Sequence, residues 1–101
     1  MRYWRVLVKS GDGRQFLTRA VEISESRAVL RGDHALPNGM ACNLQVIIPS
    51  RDEKQPATAA GMQAEVGAVV FASGDIRLDF RVKSLSHEAR QLIDARKEGA
   101  L

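Results

Sequence analysis

From Tyr3 to Val82 this chain is a succession of short stretches in which apolar and polar residues alternate with a period of two, and only after Ser84 does the period change. Side chains of a strand point alternately to its two faces, so such a pattern demands a half-buried antiparallel sheet. In Tyr3 to Lys9, Trp4, Val6 and Val8 fall on one face and Arg5, Leu7 and Lys9 on the other. Gln15 to Ile23 returns with Leu17, Arg19, Val21 and Ile23 on one face; Arg19 interrupts that row toward the strand's open end, where its head reaches water or a ligand. Ala28 to Arg31 is a third, short strand. Ala41 to Ile48 reads as the clearest buried strand, with Cys42, Leu44, Val46 and Ile48 opposite Asn43 and Gln45. Met62, Ala64, Val66, Ala68 and Val70 alternate next, and Ile76, Leu78, Phe80 and Val82 run back as a long hairpin of the kind that closes a small barrel.

The punctuation agrees. Ser10-Gly11-Asp12-Gly13 and Ala72-Ser73-Gly74-Asp75 are hairpin turns, the Asp and Gly of the first supplying positive φ. A tight polar turn spans Ser24 to Arg27, and Leu36-Pro37-Asn38-Gly39 carries loop chemistry. Pro49 ends its strand because it cannot donate to a ladder. Ser50 to Gly61 is polar and aperiodic, and is expected to be a mobile loop, the longest of the fold. From Ser84 on, Leu85, Ala89, Leu92 and Ile93 form one helical stripe. Ser86 is its N-cap, Glu88 suits its positive end, Arg96 and Lys97 its negative end, and Gly99 stops it.

The expectation is an all-β fold: a small antiparallel barrel of five or six strands with one C-terminal α-helix. It is read as a single domain over 1–101, with the barrel at about 3–83 and the helix at about 86–97. Apolar residues make up 45% of the chain, enough for a core, so disorder is not expected. Cys42 stands alone, excluding an internal disulfide, and its strand pattern makes it buried and inert. No stretch has the apolar length of a signal peptide or a membrane span, which points to the cytoplasm and to no membrane insertion.

Charge is uneven. The net is +3, but residues 1–31 carry +4 and the remaining seventy −1. The basic part therefore lies in the first three strands, either as solvated edges or as a surface facing phosphate. An enzyme is hard to assemble: His34 falls in a loop and His87 in a helix's first turn, with no spaced partner. No Cys, His and carboxylate set has metal-ligand spacing, and no cofactor is expected. Gly11 and Gly13 belong to a hairpin, not to a phosphate-cradling loop before a helix. Trp4 between Arg2 and Arg5 is read as a plug of the barrel end rather than a stacking platform. Single-stranded nucleic acid is thus a distant third reading for a chain with so few aromatics.

Four features in this order resemble the PilZ domain, a small β-barrel family of bacterial signalling receptors for cyclic di-GMP. They are Val21-Glu22-Ile23-Ser24-Glu25-Ser26 leading into Ala28-Val29-Leu30-Arg31, Leu36-Pro37-Asn38-Gly39 before Ile47-Ile48-Pro49, Ala64-Glu65-Val66 with Ile76-Arg77-Leu78-Asp79-Phe80, and Leu85-Ser86-His87-Glu88. The resemblance implies a barrel that grips the nucleotide with arginines of an N-terminal segment and with an Asp/Asn-x-Ser-x-x-Gly turn. Arginine forks suit phosphates and the acceptor edge of guanine. Carried onto this chain, the ligand-binding residues are Arg2, Arg5, Glu22, Ser24 and Arg27. Glu22 lengthens the motif's acidic arm, Arg27 stands in its glycine's place, and Met1 stands where a first arginine would. The function implied is a non-enzymatic cyclic di-GMP effector acting on a protein partner. The alternative is an adaptor that has lost the nucleotide and acts by protein contact alone.

Overall fold

The computed structural model describes residues 4–48 and 58–97. Arg2, Tyr3, Pro49, residues 50–57 of the expected loop and Gly99 lie outside the described residues, as do the side chains of Ile48, Arg96 and Lys97. The elements are β1 (Arg5–Ser10), β2 (Gln15–Ile23), β3 (Arg27–Gly32), β4 (Ala41–Ile48), β5 (Thr58–Ala72), β6 (Asp75–Leu85) and α1 (His87–Lys97). Among the described residues the six strands close a barrel in the order β1-β2-β3-β6-β5-β4, with β4 returning to β1 and every pairing antiparallel. Closure leaves no ladder edge to be protected in the barrel wall itself.

Alternation puts Val6 and Val8 of β1, Ala28 and Leu30 of β3, Leu44 and Val46 of β4, Met62, Ala64 and Val66 of β5, and Leu78 and Phe80 of β6 inside. Trp4 is half-buried and packs against this cluster, as a barrel plug would. Leu36 reaches into the core from the loop before β4, and Ala89, Leu92 and Ile93 of α1 complete it. The helix leaves β6 at Ser86, whose N–H donates to the Gly61 carbonyl (3.0 Å) and whose hydroxyl accepts from the Ala89 N–H (3.1 Å). The expected N-cap is therefore formed, and it fixes the helix start over β5.

Four expectations are corrected. In β2 the inward residues are Phe16, Thr18 and Ala20, whereas Leu17, Arg19 and Val21 face out. A bulge between Ala20 and Glu22 then resets the phase, so Ile23 is buried although it is in step with Leu17 by count. Thr18 is tolerated inside because its hydroxyl donates to the Val6 carbonyl at 2.9 Å. A second bulge, at Gly67 between Val66 and Ala68, turns Val69 toward the core and leaves Val70 outside, against the simple alternation. Finally, β5 begins at Thr58 rather than Met62, because the tail of β4 pairs on as far as Ile48 opposite Thr58. In the β1–β2 turn the positive φ belongs to Gly13 (92°), and Asp12 has none.

Candidate functional site

The β2–β3 turn is built around Ser24. Its N–H donates to the Arg27 carbonyl (2.8 Å), and its hydroxyl accepts from the N–H groups of Arg27 (3.1 Å) and Ser26 (3.4 Å) while donating to the Arg27 carbonyl (3.2 Å). A serine here replaces a longer backbone ladder by local bonds, which explains the residue type at this spacing. The Val82 N–H donates to the Ser26 carbonyl at 3.0 Å, so the turn is also pinned to β6. Arg27 sits in β3 without a positive φ, and the turn therefore needs no glycine at that position.

The side chain of Arg27 crosses to β6 and grips Asp79, with Nε 3.0 and 3.1 Å from the two carboxylate oxygens and Nη2 2.5 Å from Oδ2. This fork holds the Asp79 carboxyl below its ordinary range and pushes the Arg27 guanidinium up. Val29 is the register partner of Asp79 on one side and of Glu22 on the other. Val29 faces outward from the barrel, yet none of its surface is exposed.

Arg5 stands at the head of β1 on the outer wall. Its register partner on β2 is Arg19, whose partner on β3 is Arg31, whose partner on β6 is Arg77. Four arginines thus lie side by side on four adjacent strands, about 4.8 Å apart in strand spacing. Like charges directly opposed destabilise a sheet, so this row calls for counter-charge. Asp75 supplies some of it through Arg19 (3.9 Å). Arg5, Arg19 and Arg31, with Leu17, Thr18, Gly32, Asp33 and Asp75, line an open hollow of about 360 Å³.

Of the residues singled out from sequence, Glu22, Ser24 and Arg27 are brought together at one turn, and Arg5 lies on the same outer wall beside Arg19; Arg2 is outside the described residues. Arg31 was missed as a site residue, and Arg19 was given to the barrel's inner row. A count of arginines at strand positions in register would have found both, once β2 was read with Phe16 inward.

The remaining candidates for chemistry do not converge. Cys42 is buried within β4, and desolvation pushes its thiol up, with the Asp12 charge adding to the effect. His34 stacks on Phe16 with ring centroids 4.5 Å apart and bonds Asp33 through Nδ1 at 2.8 Å, while His87 is exposed at the start of α1. Among the described residues no group of three or more His, Cys, Asp or Glu is placed to hold a metal, and no helix is long and apolar enough to cross a membrane.

No family model matches the sequence, and neither does any curated protein. Solved structures do. The chain is similar to the inhibitor of motility MotI/DgrA of Bacillus subtilis, with a TM-score of 0.71 and 12% identity over 91% of this chain, although it spans only 44% of that protein. It is similar to the PilZ domain of YcgR from Escherichia coli, solved with cyclic di-GMP, with a TM-score of 0.64 and 16% identity over 97% of this chain and 84% of that one. The flavin reductase of styrene monooxygenase (SMOB) from Pseudomonas putida S12 also superposes, with a TM-score of 0.55 and 12% identity over 83% of this chain and 80% of that one. One barrel architecture thus hosts different chemistries, and it does not by itself decide the ligand. The closed six-stranded antiparallel barrel with its C-terminal helix nevertheless superposes on the two PilZ-related structures at the higher TM-scores, and its fold is PilZ-like.

Proposed function

We propose that the protein is a non-enzymatic effector that binds cyclic di-GMP on the outer wall of β1, β2 and β3 and acts on a protein partner. The observation that carries this reading is the cross-strand row of Arg5, Arg19 and Arg31, which lines an open hollow on the wall that also bears the β2–β3 turn. A dianionic nucleotide needs forked cations at two phosphates and donors or acceptors for guanine. Arg5 and Arg2 serve as forks by the sequence resemblance, and Arg19 and Arg31 extend the cationic surface. Glu22 presents a carboxylate that accepts from the N1–H and N2–H₂ edge of guanine, and Ser24 holds the turn that positions it. Arg27, engaged by Asp79, supports the wall and reaches phosphate only by exchanging that partner. The co-structure of the YcgR domain with cyclic di-GMP supports the ligand class.

Calorimetric titration with cyclic di-GMP, with GMP as control, tests this. Binding at micromolar concentration is expected, and Arg5→Ala or Arg31→Ala should each weaken it by about tenfold or more, the loss of one charge-assisted bond. Silence up to about millimolar ligand overturns the reading. The second reading, an adaptor without nucleotide, is favoured by one observation: the residue in the motif's glycine position is an arginine already bound to Asp79. Under it the same titration is silent, and alanine at Arg5 leaves function unchanged.

A further inference from the structure

The strand β5 outruns its neighbour β4. Their register ends at Ala41 opposite Glu65, and the loop before β4 adds one residue more: the Val66 N–H donates to the Met40 carbonyl (3.0 Å) and the Gly39 N–H to the Val66 carbonyl (2.7 Å). On its other side β5 stays paired with β6 as far as Ala72 opposite Asp75, and β3 backs β6 as far as Ile76. Among the described residues, then, nothing pairs with residues 67–72 on the side that β4 has left. The arm is braced from the β6 side, where Asp75 also meets Arg19 at 3.9 Å. Past the bulge at Gly67 its register runs unbroken from Ala68 opposite Asp79 to Ala72 opposite Asp75. A strand edge of this kind is a template for another strand, and folded proteins usually blunt it with charge, proline or a bulge. Residues 66–74 hold no charged residue and no proline, and the bulge precedes the regular stretch. Its side chains are open too, with Val70 50% and Phe71 72% exposed.

We propose that residues 68–72 of β5 are a self-association edge, which pairs antiparallel with the same edge of a second copy about a two-fold axis at Val70. The free stretch sets the axis, because only with Val70 at its centre do all its residues find a partner. Val70 then opposes the second copy's Val70, Val69 opposes its Phe71, and Ala68 opposes its Ala72. These pairs respect the faces of the hairpin. Val69 and Phe71 lie on the side of Leu78 and Ile76, toward the core, while Ala68, Val70 and Ala72 lie on the side of Asp79, Arg77 and Asp75. An aromatic residue opposite a β-branched one is among the favourable cross-strand pairs, so the pairing gives each exposed Phe71 a partner. The occupant is a second copy because an isologous interface needs a self-complementary patch, and every residue of this edge is opposed by an apolar one. The Arg77 residues of the two copies stay three strand spacings apart, about 14 Å, which exceeds the screening length of about 10 Å at 0.1 M salt. Both edges are consumed, so assembly closes at a dimer. None of this depends on the nucleotide reading.

Sedimentation velocity of the full chain without nucleotide, from about 5 to 500 μM, tests the proposal. Reversible exchange between monomer and dimer is expected, weak because so short a ladder makes a small interface. Val70→Lys sets two ammonium groups against each other on the axis and should leave only monomer; the position is exposed, and a thermal melt confirms that the variant folds. Oxidative crosslinking tests the register. Directly opposed residues have Cα atoms about 4.5–5.5 Å apart, within reach of a disulfide. Val70→Cys should therefore crosslink to itself and Ala72→Cys should not, while an equimolar mixture of Ala68→Cys and Ala72→Cys should give the mixed dimer; the native Cys42 is buried and does not compete. Monomer alone up to about 1 mM overturns the proposal, and so does a dimer that survives Val70→Lys or that crosslinks Ala72→Cys as readily as Val70→Cys. Species larger than a dimer overturn it in favour of open-ended edge aggregation.

Discussion

Phe16 and Leu17 are neighbours on β2, and truncating each to alanine tests which face of that strand the core occupies. Alternation counted from Leu17, Val21 and Ile23 makes Leu17 the buried residue. In the barrel Phe16 is 7% exposed and Leu17 is 53% exposed. Removing a buried phenylalanine side chain costs about 3–5 kcal/mol. Phe16 also stacks on His34 of the loop before β4, a loop that can settle partly into the space, so the lower end, about 3 kcal/mol, applies. For a chain of this size that is a large part of a total of about 5–15 kcal/mol, and it lowers Tm by about 12–24 °C. Leu17→Ala removes surface that water already reaches, and should cost about 0.5 kcal/mol, within a few degrees of the parent. Urea unfolding followed by tryptophan fluorescence of Trp4 measures both, with an unchanged m-value confirming that the midpoint reports stability. A Leu17→Ala variant as destabilised as Phe16→Ala would mean that the strand is in the opposite phase, and the arginine row, whose register follows from that phase, would not exist.

Ser86→Ala removes the hydroxyl that accepts from the Ala89 N–H at the start of α1 and should cost about 1 kcal/mol in the same unfolding experiment, with Ser86→Asp restoring most of it. Acid stability should fall in a defined window. Asp12 is lowered from 3.8 to about 2 by the hydrogen bonds of Arg14 and Ser10, and Asp79 is lowered by the Arg27 fork. Groups depressed in the folded state contribute fully above their unfolded pKa and lose that contribution as pH falls through the folded one. Tm should therefore hold above about pH 4 and decline toward about pH 2, and Asp12→Asn should flatten that decline when melts are recorded across the range.

Much of the architecture was legible because it follows from period and punctuation. The β1, β4 and β6 phases, the hairpin turns at Gly13 and Gly74, and the N-cap at Ser86 are set by local chemistry, and the barrel realises each of them. What escaped depends on pairing between strands. A bulge adds one residue to one strand; nothing in Ala20-Val21-Glu22 announces it, and in Val66-Gly67-Ala68 the strand glycine is the mark that a reading by alternation passes over. Leu17 is more hydrophobic than Thr18, so hydropathy chose the wrong face; Thr18 is admitted only by its bond to the Val6 carbonyl, which requires β1 as neighbour. The Ala59-Ala60-Gly61 run has little strand propensity and is extended because β4 offers a ladder there. The same reason hid the arginine row. Arg5, Arg19 and Arg31 are separated by 14 and 12 residues in the chain and become neighbours only through register.

The residue at position 27 shows how such a wall is maintained. A glycine would be needed there if the backbone were left-handed or if the ligand required bare main chain. The backbone is ordinary strand, so the first reason does not apply. Arg27 instead does something that glycine cannot. Val29 points outward from the barrel and is excluded from the core cluster, yet it is fully covered. Its register neighbours are Glu22 and Asp79, and the Arg27 fork reaches Asp79 from the adjacent row. Glycine at 27 would leave Asp79 without its fork. The cation at this position is thus tied into the wall by Asp79, two rows along the outer face from Arg31, which lines the hollow with Arg5 and Arg19.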